Sequence, residues 1–493
     1  MNLCNIGHDF RYEIEKLIRL FLPFEKIKVY DTEVQDERAA IVKRTRENGE
    51  TRLYVKLLLD GKNFEKSEIL TPTQEDYDKL CERKLAIMLY ECFCTATGYE
   101  PEWGILTGVR PAKLFSRICA EMGTDDGIEY FQNELKVNEN KLSLCREAIA
   151  GEEQIINLSH PDSFSLYLSV PFCPTRCHYC SFVSHSVDSA KKLIPQYVEL
   201  LCRELEYTAQ IAKQKNLRLE TVYIGGGTPT TLTAEQLTVV MDTVKKNFDL
   251  SHILEYTVEA GRPDTVTAER LMAIKQGGAT RISINPQTMQ NAVLETIGRR
   301  HTAEQTVEAF KLARELGFDN INMDLIAGLP NDTFEGFMDT LNKVLELDPE
   351  SVTVHSLSMK RSSTLTKGGR LPEVEMGVEA AKMVNYARRK LTEKGIVPYY
   401  MYRQSKTVGN LENVGYAKKG FECLYNVYIM DETHTILACG ASAVTKLREP
   451  NGNYIERIFN FKYPYEYINR FDEQLDRKKG ILDFYEKYPA NDK

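Results

Sequence analysis

The sequence predicts an α/β fold built around six strand–helix units, with an α+β region on either side of them. Short apolar runs and amphipathic helical stretches alternate six times after Ser165, and this order requires parallel strands joined by right-handed crossovers. Each of the six runs also leads into a polar or glycine-rich segment, as strands that share a functional site do. Six units are compatible with a partly closed barrel or with an open, doubly wound sheet.

The residues before about 160 are predicted to form a separate α+β domain, because strand-like alternation there gives way to helical periodicity. Strands are predicted at 26–34, 39–43 and 52–58, with Asn48-Gly49 as a hairpin turn. Helical stripes follow at 84–94 and 138–149. The changes in the pattern of apolar and polar residues along the whole chain predict domains at 1–160, 161–372 and 373–493.

The central domain carries the alternating pattern. Its strands are predicted at 165–170, 221–225, 255–259, 281–284, 320–326 and 351–357. Its helices, including one that begins the C-terminal domain, are predicted at 192–215, 233–248, 266–277, 303–316, 334–346 and 374–394.

Polar side chains follow all six strands at their carboxyl ends. Because these ends meet at one edge of a parallel sheet, we expect the side chains to lie together. The segments are the cysteine loop of residues 171–180, the turn Gly225 to Thr230, Glu259 with Gly261-Arg262-Pro263, Asn285-Pro286-Gln287, Asp324 with Gly328-Leu329-Pro330, and His355 with Ser356 and Ser358.

The cysteine loop places Cys173, Cys177 and Cys180 close together in the sequence. An iron–sulfur cube held by three cysteines keeps one iron open for a small ligand. A structural zinc site is the first alternative, with His178 or His185 as the fourth ligand. A disulfide, which is unexpected in a chain without signs of export, and unreactive buried thiols are the others.

Three of the other strand-end groups also have a purely structural alternative. The triple glycine removes Cβ atoms, so that backbone amides approach a ligand, or it simply makes a tight turn. Glu259 and Asp324 can accept hydrogen bonds from a ribose or an ammonium group, or can pair with Arg281 or Arg299. Gln287 can recognise a carboxylate or an adenine edge, or can cap the next helix.

Composition restricts the classes of function. With 63 basic and 71 acidic side chains the formal net charge is −8, which does not favour nucleic acid as a partner. The charged N-terminus lacks the apolar region of a signal peptide, and no apolar run approaches the roughly 18 residues of a membrane span. Outside the triplet the cysteines show no regular framework, so free thiols in a reducing cytoplasm are expected.

The cysteine triplet, the Tyr167-to-Cys173 entry YLSVPFC, the GGGTPT turn and DLIAGLP resemble the radical S-adenosylmethionine enzymes, and more narrowly the oxygen-independent coproporphyrinogen III oxidase (HemN-like) family. The resemblance covers roughly 160 to 450. The N-terminal region, with WGILTGVRPAKL, resembles the HemZ branch. The resemblance implies a partial (β/α)6 radical S-adenosylmethionine barrel, an N-terminal accessory domain and a C-terminal HemN-like domain with a lid region.

By position, the resemblance implies a set of site residues. The [4Fe-4S] ligands are Cys173, Cys177 and Cys180. The first S-adenosylmethionine contacts Tyr167, Gly226, Glu259 and Val444, of which Tyr167 and Glu259 are assigned to catalysis. The adjoining pocket, where the family's best-known member holds a second such molecule, comprises Tyr179, Gly227, Thr228, Gln287, Arg299, Asp324 and Ser358. One residue more than usual between Glu259 and Pro263, and Asn285-Pro286 where a glycine-containing pair is common, depart from the family pattern.

The activity implied is the removal of a hydrogen atom from each of two propionates of coproporphyrinogen III by a 5′-deoxyadenosyl radical, with loss of carbon dioxide to give protoporphyrinogen IX. A reduced flavodoxin or ferredoxin is the implied electron donor. A haem-binding chaperone and a haem-methylating, ring-opening enzyme are the alternatives. The His-Asn-x-x-Tyr-Trp stretch of the chaperones is represented here by Tyr425-Asn426-Val427-Tyr428-Ile429-Met430, without the histidine, although His355 and His434 remain candidate ligands.

Two further features concern the substrate. Arg361, Lys367 and Arg370 are candidate partners for its carboxylates, or simply a solvated charge run. The tyrosine-rich C-terminal domain, with a strand predicted at 434–444, either covers the barrel mouth or contributes ordinary core aromatics.

Overall fold

The computed structural model describes residues 1–34, 36–47, 49–71, 77–180, 184–358, 373–404 and 406–489. These residues form two compact units. The first contains the described residues of Met1–Glu147, Gly368–Lys382 and Met401–Asn413, and the second those of Ala148–Lys367, Met383–Tyr400 and Val414–Lys493.

The N-terminal part of the chain combines a sheet with helices. Its elements are β1 Asn2–Ile6, α1 Arg11–Phe21, β2 Lys28–Tyr30, β3 Ala39–Glu47, β4 Glu50–Leu59, β5 Lys62–Leu70, α2 Tyr77–Thr97, α3 Pro111–Met122, α4 Thr124–Glu129 and α5 Glu139–Ile156. The sheet has the order β2-β1-β3-β4-β5. The strand pairing of the predicted hairpin is confirmed, because β3 and β4 are antiparallel and pair Ala39 with Leu58, whereas Asn48 of the predicted turn lies outside the described residues. Alternate residues of β4, such as Val55, are buried in one apolar cluster with Leu85 and Leu89 of α2.

The second unit contains the six predicted strands and the helices between them. Their elements are β6 Ser163–Val170, β7 Phe172–Cys173, β8 His185–Ser186, α6 Val187–Ala190, α7 Ile194–Gln214, β9 Arg218–Gly226, α8 Ala234–Asn247, β10 Glu255–Glu259, α9 Ala268–Gln276, β11 Arg281–Ser283, α10 Asn291–Thr296, α11 Ala303–Glu315, β12 Ile321–Ala327, α12 Phe334–Glu346 and β13 Ser351–Ser356. The remaining α-helices and strands of the described residues are α13 Glu373–Glu393, β14 Val397–Arg403, β15 Glu412–Ala417, α14 Leu424–Asp431, β16 Thr435–Cys439, β17 Val444–Arg448, β18 Ile455–Phe459, α15 Pro464–Asn469 and α16 Phe471–Lys487.

The strand order distinguishes the partly closed barrel from the open, doubly wound sheet. Eleven of the described strands form one sheet in the order β14-β15-β13-β12-β11-β10-β9-β6-β16-β17-β18, and β7 pairs with β8 separately. The six predicted strands are all present, all parallel, and adjacent in the order in which they occur in the chain. A doubly wound sheet reverses its strand order at a switch point, and this sheet does not. The fold is therefore the partial barrel, extended by β16, which runs parallel to β6.

The predicted strand at 434–444 is wrong in its length. The chain turns after β16 at Gly440, whose φ is +95°, and β17 then returns antiparallel to β16. Gly440 is needed there because an added Cβ would lie 2.5 Å from the carbonyl oxygen of Ser169.

N-capping residues mark the start of two helices that follow strands. Thr233 and Thr302 each accept a hydrogen bond from the backbone three residues later, and Gln236 and Gln305 return the bond in a capping box. Because these caps lie just beyond the strand-end loops, they determine where each loop stops and its helix begins. Within the described residues, no helix is long and apolar enough to cross a membrane.

Candidate active site

The cysteine loop is anchored by the segment that follows α10. The backbone amide of His178 donates to the carbonyl of Ile297 at 2.9 Å, and Thr175 Oγ1 donates to the carbonyl of Gly298 at 3.3 Å. Gly298 has a φ of +76°, and an added Cβ would lie 3.2 Å from the ring of His178. These contacts give the loop a defined backbone before any ligand binds.

The structure also bears on the alternatives for the three thiols. None of the twelve cysteines forms a disulfide, which removes that alternative. Nδ1 of His178 lies 2.9 Å from the carbonyl oxygen of Thr296, and the ring of His185 lies against Tyr463 at 6.2 Å between centroids. Among the described residues, no three His, Cys, Asp or Glu side chains converge to hold a single metal ion. A [4Fe-4S] cluster is a larger object, because its cysteines bind different irons.

The glycine turn, residues 225–228, packs directly against the start of the cysteine loop. Backbone amides of Gly227 and Thr228 donate to the carbonyls of Val170 and Phe172, each at 2.8 Å. A Cβ on Gly227 would lie 2.6 Å from the carbonyl oxygen of Phe172, so only glycine allows this approach. These two amides hold the cysteine loop, whereas the sequence suggested that they face a ligand.

Cys173 and Glu259 meet the same turn. Thr228 Oγ1 lies 3.5 Å from the sulfur of Cys173, and a Cβ on Gly227 would lie 3.0 Å from that sulfur. On the other side, a Cβ on Gly225 would lie 3.1 Å from the carboxyl carbon of Glu259. The glycine turn therefore brings the first cysteine and the acid that ends β10 into one site.

Burial shifts the pKa values of both Cys173 and Glu259. It raises the pKa of the Cys173 thiol, although a hydrogen bond from Thr228 opposes the increase. It also raises the pKa of Glu259 to about 7, against the hydrogen bond that the Tyr223 hydroxyl donates to Glu259 Oε1 at 2.6 Å. The carboxylate of Asp324 adds to the increase at Glu259. Glu259 is thus poised to change its charge near neutral pH.

Three tyrosines form a stack in the same region. The ring of Tyr223 lies 6.2 Å from Tyr167 and 4.5 Å from Tyr425, with interplanar angles of 25° and 26°. Tyr425 comes from α14, whose first amides are held by Glu255: the amide of Leu424 donates to Oε2 at 2.8 Å. This tyrosine stack connects β6, β9 and the C-terminal region. Sequence reasoning missed Tyr223 and Glu255, and an acid at the first position of a predicted central strand was the available signal for Glu255.

The residues of the adjoining pocket form a second group. Arg299 donates to the Tyr179 hydroxyl from Nε at 3.3 Å and from Nη2 at 3.1 Å, and to the carbonyl of Asn285 from Nη1 at 2.8 Å. The backbone amide of Gln287 donates to the carbonyl of Asp324 at 2.9 Å. Gln287 has a φ of +68° and forms an isolated bridge with Leu325, so it is not a helix cap.

Asp324 remains acidic although it is buried. Burial raises the pKa of Asp324, but interaction with His355 and a hydrogen bond from Asn322 at 2.7 Å lower it, and the net shift is downward. His355 Nε2 lies 3.8 Å from Asp324 Oδ2. In the described part of the chain no ion pair joins Glu259 or Asp324 to Arg281 or Arg299, and Arg281 donates to Ser351 at 3.0 Å.

The remaining predicted residues lie around this centre. Gly226 ends β9 with a φ of +107°. Val444 begins β17, which follows the turn packed against Ser169 of β6, and Ser358 lies half-buried two residues after β13. Contacts in the structure therefore join the glycine turn to Cys173 and Glu259, Arg299 to Tyr179, and Gln287 to Asp324. Arg361, Lys367 and Arg370 lie outside the described residues.

Comparisons with known proteins show which proteins the chain is similar to. The profile of the Radical SAM superfamily matches residues 167–344. HemZ of Bacillus subtilis (strain 168), an oxygen-independent coproporphyrinogen-III oxidase-like protein, is 36% identical over 420 residues, which are 84% of this chain and 84% of that protein. The heme chaperone HemW of the same organism is 34% identical over 331 residues, which are 64% of this chain and 81% of that protein.

One solved structure supports the fold. The coproporphyrinogen III oxidase HemN of Escherichia coli, a radical SAM enzyme, aligns with a TM-score of 0.50 and 22% sequence identity. The alignment covers 65% of this chain and 72% of that one. At this identity the likeness shows the shared fold alone.

Proposed function

Because the chain belongs to the family of oxygen-independent coproporphyrinogen-III oxidase-like proteins within the radical SAM superfamily, we propose that it converts coproporphyrinogen III to protoporphyrinogen IX by oxidative decarboxylation. One observation carries the proposal. Thr228 of the glycine turn lies 3.5 Å from the Cys173 sulfur, and Gly225 packs so closely on Glu259 that an added Cβ would lie 3.1 Å from its carboxyl carbon, so groups suited to a cluster and to a cationic nucleotide adjoin one another.

The superfamily uses a [4Fe-4S] cluster and S-adenosylmethionine, and the donor set here fits both. Cys173, Cys177 and Cys180 supply three thiolates on an anchored loop, and three thiolates leave one iron for the nucleotide. Tyr167, Gly226, Glu259 and Val444 would hold S-adenosylmethionine. When bound, these groups supply a one-electron reduction of the sulfonium and a hydrogen-atom abstraction at a propionate of the substrate.

The chain's own residues prepare the site for this chemistry. The Tyr223 hydroxyl holds one carboxylate oxygen of Glu259, and the ionised carboxylate attracts a positively charged ligand. The tyrosine stack fills the space beside that carboxylate with apolar ring surface, which excludes water from a reactive radical. We assign binding and orientation to Tyr167 and Glu259 on these grounds.

The adjoining pocket is a proposed site for the substrate or for a second S-adenosylmethionine. Tyr179 and Arg299 meet there by two hydrogen bonds, and Gln287 is joined to Asp324 through the backbone. Gly227, Thr228 and Ser358 complete the proposed set. A reduced flavodoxin or ferredoxin remains our proposal for the electron donor.

A haem chaperone is the second candidate, and the HemW relative favours it. Two observations oppose it. Tyr425 stands where the chaperones have a histidine, and its ring is stacked on Tyr223. Of the two candidate histidines, His355 lies beside Asp324, with 3.8 Å between Nε2 and Oδ2. His434 is 2% exposed, with Nδ1 3.0 Å from Ser165 Oγ and Nε2 3.3 Å from Glu220 Oε2. A haem iron therefore cannot reach His434 without unfolding its surroundings.

An anaerobic assay with both porphyrins distinguishes the functions. Reconstituted protein, S-adenosylmethionine and a reductant are incubated with coproporphyrinogen III or with haem, and carbon dioxide, 5′-deoxyadenosine and porphyrin products are measured. We expect carbon dioxide and protoporphyrinogen IX from coproporphyrinogen III, and neither from the Cys177→Ala variant. Consumption of haem with coproporphyrinogen untouched would replace the proposal by haem ring opening. Stable haem binding without turnover of either porphyrin would replace it by the chaperone.

A further inference from the structure

Arg262 connects the acid-bearing strand β10 to the cysteine loop. It lies three residues after Glu259 and is 3% exposed. Its Nη1 atom lies 3.7 Å from the Cys177 sulfur and 3.4 Å from the carbonyl oxygen of Thr175, while Nη2 donates to Thr175 Oγ1 at 3.2 Å. The guanidinium group therefore reaches both the backbone and a sulfur of the loop.

The opposite edge of the guanidinium is neutralised by Asp264. Nε and Nη2 donate to the two carboxylate oxygens, each at 3.0 Å. This bidentate pair fixes the plane of the group, so that Nη1 points away from the carboxylate and toward Cys177. Arg262 thus presents the positive end of an oriented ion pair to the sulfur.

We propose that Arg262 makes the cluster easier to reduce by donating an N–H···S hydrogen bond to Cys177. The inference rests on the proposed function, in which Cys177 is a cluster ligand. Hydrogen bonds to the ligating sulfurs and nearby charge are among the factors that set iron–sulfur potentials. A donor at the sulfur withdraws electron density from the iron and stabilises the more negative, reduced state.

The electron balance needs no group beyond those already proposed. One electron leaves the external donor protein and enters the cluster. Other groups near Arg262 do not replace its function. Arg299 is occupied by Tyr179 and Asn285, and burial lowers the pKa of His301 to about 3, so that its imidazole is neutral at pH 7.

Two substitutions in the Arg262–Asp264 ion pair distinguish an effect on the cluster's midpoint potential from a purely structural effect. Arg262→Met removes the donor and the positive charge, whereas Asp264→Asn keeps the donor and removes the negative charge. The midpoint potential of the reconstituted protein is measured by a redox titration followed by electron paramagnetic resonance, without S-adenosylmethionine, and iron and sulfide are counted in each sample.

We expect Arg262→Met to lower the reduced-to-oxidised ratio about tenfold at a fixed solution potential, which is about 59 mV for one electron. We expect Asp264→Asn to move the midpoint in the opposite direction. An Arg262→Met protein that holds its cluster at the wild-type potential overturns the inference.

Two further variants keep the test decisive. If Arg262→Met does not load iron, the double variant Arg262→Met/Asp264→Asn leaves no buried charge unpaired, and a wild-type potential in that protein overturns the inference. If the double variant also fails to load, an Asp264→Asn midpoint at or below the wild-type value overturns it. Full iron content in Cys177→Ala would instead refute the proposed ligation, which distinguishes failure of the function from failure of the tuning.

Discussion

Replacement of Gly227 by alanine is expected to displace the cysteine loop. The φ of Gly227 is not in the left-handed region, so alanine introduces no backbone strain there. The cost comes from contact, because the added Cβ would lie 2.6 Å from the carbonyl oxygen of Phe172 and 2.9 Å from that of Val170. Ordinary contact begins at 3.4 Å, so the first pair must separate by 3.4 − 2.6 = 0.8 Å.

The separation weakens a pair of hydrogen bonds. Those from Gly227 to Val170 and from Thr228 to Phe172 are each 2.8 Å long, and both join the glycine turn to the start of the cysteine loop. A backbone hydrogen bond contributes about 0.5–1.5 kcal/mol net, so the loss of both would lower the free energy of unfolding by about 1–3 kcal/mol. The same movement shifts Cys173 relative to the other two sulfurs.

Urea unfolding and iron content after anaerobic reconstitution measure the two effects. Gly108→Ala is the matched control, because no atom lies within 4 Å of an added Cβ and its φ is not positive. We expect the control to match wild type in both measurements, and Gly227→Ala to be less stable and to take up less iron. Wild-type values for Gly227→Ala in both would refute the argument that close packing requires this glycine.

Three other predictions follow from single groups. The raised pKa of Glu259, about 7, gives a contribution to stability that is full below pH 4.5 and lost as the pH rises through 7. Binding of the cationic S-adenosylmethionine should therefore strengthen across pH 7 in calorimetric titrations, a dependence that Glu259→Gln removes; a flat wild-type profile contradicts this. Lys141, buried with Glu412 at 2.6 Å and Glu102 at 3.0 Å, should cost about 3–5 kcal/mol in urea unfolding when changed to Met. A loss no larger than that of an exposed lysine would contradict it. Wild-type protein should bind about four irons and Cys177→Ala none, while Cys202→Ala, outside the loop, should retain them; iron analysis decides.

Much of the fold could be predicted because its signals are local. The predicted strand 255–259 is found as Glu255–Glu259, and the predicted helix 334–346 as Phe334–Glu346. Periodicity of apolar residues decides such elements within about ten positions. The short helix α10 was missed because six residues contain too few turns to show a period. The pairing of β16 with β6 was missed because their sequences are separated by most of the second unit.

The candidate site was also predicted only in part: its residues were indicated, but their contacts were not. Strand-end positions indicated Cys173, Glu259 and Asp324, because polar residues at strand ends of a parallel sheet are expected to meet, and the family resemblance indicated Arg299. Their partners did not follow from the motifs. Asp324 was expected to meet an arginine as its structural alternative, but its close basic neighbour is His355.

The sequence by itself determined the order of strands and helices, their parallel arrangement and the residues at the strand ends, since these depend on short-range patterns. Only the tertiary structure decided which side chains touch. Arg262 reaches Cys177 across 85 positions, and Glu255 holds the amide of Leu424 across 169. Contacts of this kind depend on how loops close and which polar groups burial forces to pair, and neither is a property of any short stretch of chain.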